Sequence, residues 1–387
     1  MRDFINPEVQ GLKPSGIRKF FELASSTPGV VSLGVGEPDF DTPWHISDEG
    51  IASIEEGKTF YTSNSGLPEL REAIGKFLKR KYNLTYKNDE ILVTVGGSEA
   101  IDLACRSLLS KGEEAVICYP AYVSYEPCVL LAGGKVLPLQ LKAENGFKAQ
   151  AGELEKLLTP KTKLLMLNYP NNPTGAEMDL ASLEALAEVC IRRDLFVVTD
   201  EIYSELVYTG KHISIASLPG MKERTLLING FSKSYSMTGW RLGYAAGSKE
   251  VIAALTKIHQ YSIMCPSTAS QYAGIEALNN GDDDISRMRD EYAKRRLYIL
   301  HRLTEMGLSC YEPQGAFYVF PSIAKFGLSS EEFCTRLVKE AKVAVIPGTA
   351  FGACGEGFVR ISYAYSIKDI GSALDRMEKF LKKLEKE

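Results

Sequence analysis

Thr225-Leu-Leu-Ile-Asn-Gly-Phe-Ser-Lys-Ser-Tyr-Ser-Met-Thr-Gly-Trp-Arg-Leu-Gly-Tyr-Ala-Ala246 reads as a buried strand, a loop and a second strand. The apolar run Thr225 to Ile228 is too short for a helix, and Gly and Ser punctuate the residues after it. Lys233 stands between Ser232 and Ser234, where small neighbours leave room for a flat ligand. Arg241 follows in the same loop, with glycines on either side. An amine that can condense with an aldehyde and a guanidinium that can hold a phosphate therefore share one short segment. Pyridoxal phosphate carries both groups, which makes Lys233 a candidate Schiff-base lysine. Taken alone, the loop is equally compatible with a solvated lysine, so the assignment depends on the rest of the chain.

The same rhythm repeats outward from this stretch. Ile91 to Val95, Ala115 to Cys118, Leu164 to Leu167, Leu195 to Thr199 and Leu242 to Ala246 are short apolar runs, with helical patterns between several of them. Such alternation predicts α/β architecture, with a mainly parallel sheet covered by helices on both faces. Ligands of such sheets bind beyond the carboxyl ends of the strands. Four runs lead into chemically capable residues: Gly97-Ser98, Asn172, Asp200 and Lys233. Individually these are an N-cap, a turn residue, a strand-end charge and a loop lysine. Four at equivalent ends of one sheet point to a ligand site.

After about residue 285 the rhythm changes. A helical pattern over Ile285–Leu303 leads to Tyr311–Phe320, a helix near Ser330, and the run Phe358-Val-Arg-Ile-Ser-Tyr363. Arg360 inside that apolar strand needs a partner, because a buried unpaired cation is costly. The partner is either an internal carboxylate or one supplied by a ligand. The expected organisation is a large domain over 46–285 and a smaller α+β domain built from 1–45 and 286–387. The chain's last helix is predicted from Ile370, Leu374, Met377, Leu381 and Leu384, with Ser366 and Asp369 as its capping pair.

Composition excludes several classes. At 387 residues, with 45% hydrophobic and 24% charged residues and a formal charge of -4, the chain has no basic surface suited to nucleic acid. No window is long and apolar enough for a membrane span, and the first residues lack a signal-peptide core. The eight cysteines form no Cys-x-x-Cys pair and the four histidines are isolated. Reduced thiols in a cytoplasmic, soluble protein without a metal site are the expectation.

Five segments, in this order, carry a resemblance that runs over nearly the whole chain: Gly36-Glu-Pro-Asp39, Asn171-Asn172-Pro-Thr-Gly175, Asp200-Glu-Ile-Tyr203, Ser232-Lys233 through Trp240-Arg241, and Arg360. The chain resembles the class I, aspartate aminotransferase-like family of fold-type I pyridoxal-phosphate enzymes. The resemblance implies that Lys233 binds the cofactor and shuttles a proton, that Asp200 pairs with the ring nitrogen, and that Tyr203 and Asn172 hydrogen-bond the ring oxygen. It implies that Tyr122 stacks on the ring. Gly97, Ser98, Glu99, Ser232 and Arg241 would hold the phosphate, together with Tyr61 from the neighbouring subunit of a homodimer. Arg360, with Gly36 beside it, would hold the substrate α-carboxylate, and Asn172 and Ile17 would also face substrate.

The expected reaction moves an amino group between an L-amino acid and a 2-oxo acid. Glutamate and 2-oxoglutarate form the common pair; the second substrate is aromatic, aspartate or of diaminopimelate type. Ser98 stands where an aspartate-using subgroup carries Lys, and Tyr261–Pro266 lacks the Arg of another subgroup. Ile17 therefore suggests a large or aromatic side chain, although Arg18 leaves an acid open. A C–S β-lyase on the same scaffold is the alternative. A cofactor-sensing transcription regulator is more remote, because no basic DNA-binding segment precedes the family's own N-terminal motifs.

Overall fold

The computed structural model describes residues 4–12, 14 and 16–387; residues 1–3, 13 and 15 of the expected N-terminal portion lie outside them. Its centre is a seven-stranded sheet. The strands are β1 (Ile91–Thr94), β2 (Glu114–Tyr119), β3 (Lys135–Gln140), β4 (Thr162–Asn168), β5 (Phe196–Asp200), β6 (Thr225–Gly230) and β7 (Gly243–Ala246). They lie in the order β1-β7-β6-β5-β4-β2-β3. All neighbours are parallel except β7, which runs antiparallel to both β6 and β1.

Every residue of β1, β6 and β7 is buried. These runs are apolar on both faces because helices cover both faces. Strand β3 was not expected from the sequence. Its Lys-Val-Leu-Pro-Leu-Gln is half exposed, and Pro138, which has no N–H to donate, is accommodated on this edge strand.

The chain's two ends meet away from this sheet. Val31–Ser32 pairs in parallel with Val343–Ala344, and the Ser362 N–H donates to the Leu33 carbonyl. Val359–Ser362 lies between Ile346–Pro347 and Tyr318–Val319, antiparallel to both. A helix over Asp282–Glu305 runs through the expected boundary at 285. The terminal helix, Ile367–Leu384, buries Ile370, Leu374, Met377 and Leu381, and the Asp369 N–H donates to Ser366 Oγ at 3.1 Å. The eight cysteines are unpaired. Among the described residues no helix is long and apolar enough to cross a membrane.

Candidate active site

Strands β4, β5 and β6 all end at one edge of the sheet, and the helix α1 (Gly96–Leu108) begins there after β1. Between these ends and the segment carrying Gly36 lies a cavity of about 280 Å³. Lys233, Asp200, Asn172 and Tyr203 line it, as do Arg360 and Gly36. So do Gly97, Ser98, Tyr122, Ser232, Arg241 and Ile17. Most residues singled out from sequence thus come together; Glu99 and Tyr61 do not line the cavity.

Lys233 follows β6 in a tight turn, and its ammonium donates to the Gly36 carbonyl at 2.7 Å. Burial pushes the amine down to about 8, helped by Arg360 and Arg241 and opposed by Glu37 and Asp200. About a tenth of this lysine is therefore uncharged and nucleophilic at pH about 7, far more than of an ordinary lysine. Asp200 is 6% exposed. Burial pushes its carboxyl up to about 6, against hydrogen bonds from Tyr125 and the Ile202 N–H. The Tyr125 phenol donates to Oδ2 at 2.7 Å and the Ile202 N–H to Oδ1 at 3.2 Å. Both hydrogen bonds to Asp200 come from neutral donors, and no ion pair with a described residue accompanies them, so a cationic ligand group would stabilise this carboxylate.

Arg360 shows the opposite deficit. Its side chain crosses from the Val359–Ser362 strand into the same cavity and is 2% exposed. One Nη donates to Asn172 Oδ1 at 3.0 Å and the other to the Gly34 carbonyl at 2.6 Å. Nε has no partner, and no described carboxylate forms an ion pair with the guanidinium. The internal salt bridge that sequence left open is absent among the described residues. The rings of Tyr318 and Phe351 lie 4.5 and 4.8 Å from the guanidinium carbon. These faces partly compensate the charge, but a ligand carboxylate would do so far better.

The remaining walls suit an aromatic ligand bearing an anion. Gly97 and Ser98 lie in the first turn of α1, where free N–H groups and the helix dipole favour a phosphate. Gly96 adopts φ +74°, and a Cβ there would lie 2.6 Å from Arg241 Nη2, so glycine lets the guanidinium approach the backbone. Glu99 turns its carboxylate backwards: it accepts from the Val95 N–H at 2.5 Å and pairs with His259 Nδ1 at 2.7 Å. Only its main chain is left for a role at the anion end. Tyr61 is 81% exposed and stands on the outer surface.

Several lining residues were missed in the sequence. The Tyr318 and Tyr203 hydroxyls are 2.8 Å apart. A Cβ on Gly36 would lie 2.2 Å from the Tyr318 hydroxyl, so Gly36 is packed directly beneath it. The only signal for Tyr318 was its place in an apolar run, which does not separate a wall from a core. Asn168 supports both loops: its Nδ2 donates to the Asp200 carbonyl, and its Oδ1 accepts from the Asn172 N–H. Tyr125 opens the short helix after Tyr122 and lies behind the cavity wall, where it reaches Asp200; nothing in the sequence marked it.

Together these groups form an anion cradle, a nucleophilic amine, an acid without an ion pair and a guanidinium without an ion pair around one cavity. A phosphate-bearing heteroaromatic aldehyde with a basic ring nitrogen fits this donor set, with the guanidinium left for a second ligand's carboxylate. Comparison with known proteins agrees. Residues 28–377 match the family described as aminotransferase class I and II. A putative aminotransferase, YugH, of Bacillus subtilis is 48% identical, covering 99% of this chain and 100% of its own. An aspartate aminotransferase of Pyrococcus abyssi is 47% identical, covering 96% of each. The solved structure of an aromatic aminotransferase from Pyrococcus horikoshii superposes with a TM-score of 0.90 at 44% identity, over 95% of this chain and 99% of that one.

Proposed function

The chain belongs to the class I and II aminotransferases and is a pyridoxal-phosphate-dependent enzyme moving amino groups between amino acids and 2-oxo acids; from that premise we propose which residues carry the reaction and what substrate it takes. The observation that carries the reading is the convergence, in one cavity, of a nucleophilic lysine, a buried acid without a cation and a buried guanidinium without an acid. Pyridoxal phosphate, when bound, supplies an aldehyde that condenses with an amine and a ring that draws electrons from the substrate Cα.

Lys233 is the residue whose amine would bind the cofactor's aldehyde carbon, and as a free amine it would move the proton at the substrate Cα. Asp200 holds the proton on the ring nitrogen, which satisfies its missing cation. Tyr203 and Asn172 would hydrogen-bond the ring oxygen, and Tyr122 would pack against the ring. The main chain at Gly97, Ser98 and Glu99, with Ser98, Ser232 and Arg241, holds the phosphate. Arg360 and the Gly36 main chain hold the substrate α-carboxylate. Residues 1–45 and 286–387 act as a small domain that brings Gly36, Ile17 and Arg360 onto the large domain, 46–285, and excludes water.

The substrate paired with glutamate and 2-oxoglutarate is an aromatic amino acid. Ile17, Phe21, Val35 and Ile101 give the cavity an apolar wall. Arg18 points outward, 81% exposed and bonded to Glu22 at 3.1 Å, so it supplies no cation to an acidic side chain. The unpaired cysteines support a reducing compartment, the cytoplasm. The exposed Tyr61 supports a homodimer in which this phenol reaches the partner's phosphate site.

Half-reactions test this reading. The cofactor-loaded protein is mixed with each L-amino acid, and loss of the visible band of lysine-bound cofactor is followed. Tyrosine, phenylalanine and glutamate should convert the band fastest. Aspartate reacting as fast as tyrosine would overturn the substrate assignment. Lys233→Ala should leave a folded protein without the band; retention of the band would overturn the lysine assignment.

A further inference from the structure

Behind the cavity lies a buried cluster that none of these roles uses. The His212 side chain is 3% exposed, and it sits between two carboxylates exposed by 8% and 1%. Nδ1 is 2.6 Å from Glu177 Oε1, and Nε2 is 2.9 Å from Glu201 Oε2. With both acids ionised, both ring nitrogens must carry protons, which makes His212 an imidazolium; burial raises the Glu177 carboxyl, whose Oε2 has no partner, and His212 opposes that rise. Consistent with this, the two carboxylates push its proton affinity up to about 10 despite the opposing effect of burial. The Ser214 and Thr199 hydroxyls donate to the other Glu201 oxygen at 2.7 and 3.1 Å.

The two acids belong to two different cofactor loops. Glu201 directly follows Asp200 and precedes Tyr203 by two residues. Glu177 closes the turn that carries Asn172, a turn held by the Asn171 N–H to the Ala176 carbonyl at 2.9 Å. The 314–316 segment, just ahead of Tyr318, is hydrogen-bonded to both loops. The Gln314 and Gly315 N–H groups donate to the Gly175 carbonyl, and the Ala316 N–H donates to the Leu206 carbonyl. Two loops that bear cavity residues thus meet at one buried cation, and the segment ahead of Tyr318 is tied to both.

We propose that His212 is a positioning residue for the cofactor ring: its imidazolium clamps Glu177 to Glu201, and so fixes Asn172 on one loop against Asp200 and Tyr203 on the other. The proposal rests on the roles given to those three residues under the proposed function. No other charged group competes for the imidazolium among the described elements around it. Tyr82 presents its ring edge with centroids 5.7 Å apart. Its hydroxyl donates to Glu205 and is hydrogen-bonded to the Ser204 hydroxyl, and Glu205 is paired with Lys81. Tyr86 and Tyr244 face Glu201 and Tyr311 faces Glu177, all held as neutral phenols by burial.

The test is the affinity of the apoprotein for pyridoxal phosphate, measured by equilibrium dialysis, alongside kcat, KM and thermal unfolding. His212→Gln should weaken cofactor binding at least about tenfold and lower kcat while leaving KM for the amino acid nearly unchanged. Glu177→Gln removes one of the two charges and keeps the packing, so it remains informative if His212→Gln fails to fold. In it the imidazolium should lose its proton at lower pH, and the alkaline loss of cofactor affinity should move to lower pH than in the wild type. A lowered melting temperature with unchanged cofactor affinity, kcat and pH profile in the folded variants would make the cluster purely structural and end the proposal. Failure of the wild-type apoprotein to bind pyridoxal phosphate would instead strike the residue roles on which it rests.

Discussion

Asp200 and Arg360 are opposite charges buried in one cavity, each without an ionic partner of its own. For Asp200 the consequence is a stability cost in the ligand-free protein. Its carboxyl rises from 3.8 to about 6 on folding. The unfolded chain therefore releases this proton first, and apoprotein stability falls as pH rises from about 4 to about 6. Asp200→Asn should remove that slope and stabilise the apoprotein at pH about 7.5 by up to about 3 kcal/mol, while transamination collapses. Urea unfolding of the two apoproteins across this pH range measures it; a variant no more stable than wild type contradicts the burial argument. For Arg360 the consequence lies in substrate binding. Arg360→Ala should raise KM for every amino acid and oxo acid by about a hundredfold, since all share the α-carboxylate. A loss confined to one substrate would mean that Arg360 reads a side chain. Both residues were legible in the sequence because a charge at the end of, or inside, an apolar strand is anomalous. Tyr318, Asn168 and His212 were not, because a tyrosine in an apolar run, an asparagine at a strand end and a lone histidine have ordinary uses. Only the packing of distant segments gives them a role.

Most of the central sheet was legible at the level of elements for a related reason. Strands buried on both faces must be apolar throughout, and six of the seven announced themselves in that way. The seventh, β3, is solvated along one edge and carries a proline, so its run is broken. The antiparallel direction of β7 was equally hidden, because strand direction is set by the connections and not by composition. The turn between β1 and α1 tests how closely backbone and side chain are matched at the phosphate end. Gly96→Ala must hold φ near +74° with a Cβ 2.6 Å from Arg241 Nη2. The left-handed conformation costs about 1 kcal/mol, and the guanidinium must also retreat. Cofactor affinity should fall by about tenfold while the fold survives. Because the damage passes through Arg241, Gly96→Ala and Arg241→Lys should combine less than additively. Full additivity in dialysis measurements would show that the two sites act independently.

At the scale of the whole molecule, the proposed homodimer is a statement about the exposed aromatic side chains. Phe60 and Tyr61 are each 81% exposed, Tyr261 is 88% and Trp44 is 72%. The segment of Phe60 and Tyr61 is hydrogen-bonded to the segments on either side of Tyr261: the Thr268 hydroxyl donates to the Phe60 carbonyl at 2.7 Å, and Asn64 Nδ2 donates to Gln260 Oε1 at 3.2 Å. Large aromatic side chains in neighbouring segments favour burial against another surface. In a twofold dimer each subunit lends the same patch to the other, so Tyr61 would serve the partner's site. Subunit mixing discriminates this from a role within one chain. Lys233→Ala is inactive by itself, and Tyr61→Ala should be impaired in holding the phosphate. A mixed dimer contains one site with both Lys233 and the partner-supplied Tyr61, and one site with neither. Random re-pairing of equal amounts makes half the dimers mixed, so activity should recover to about a quarter of wild type above the parental background. If Tyr61 served its own subunit, every mixed dimer would still pair the intact lysine with the missing phenol, and mixing would restore nothing.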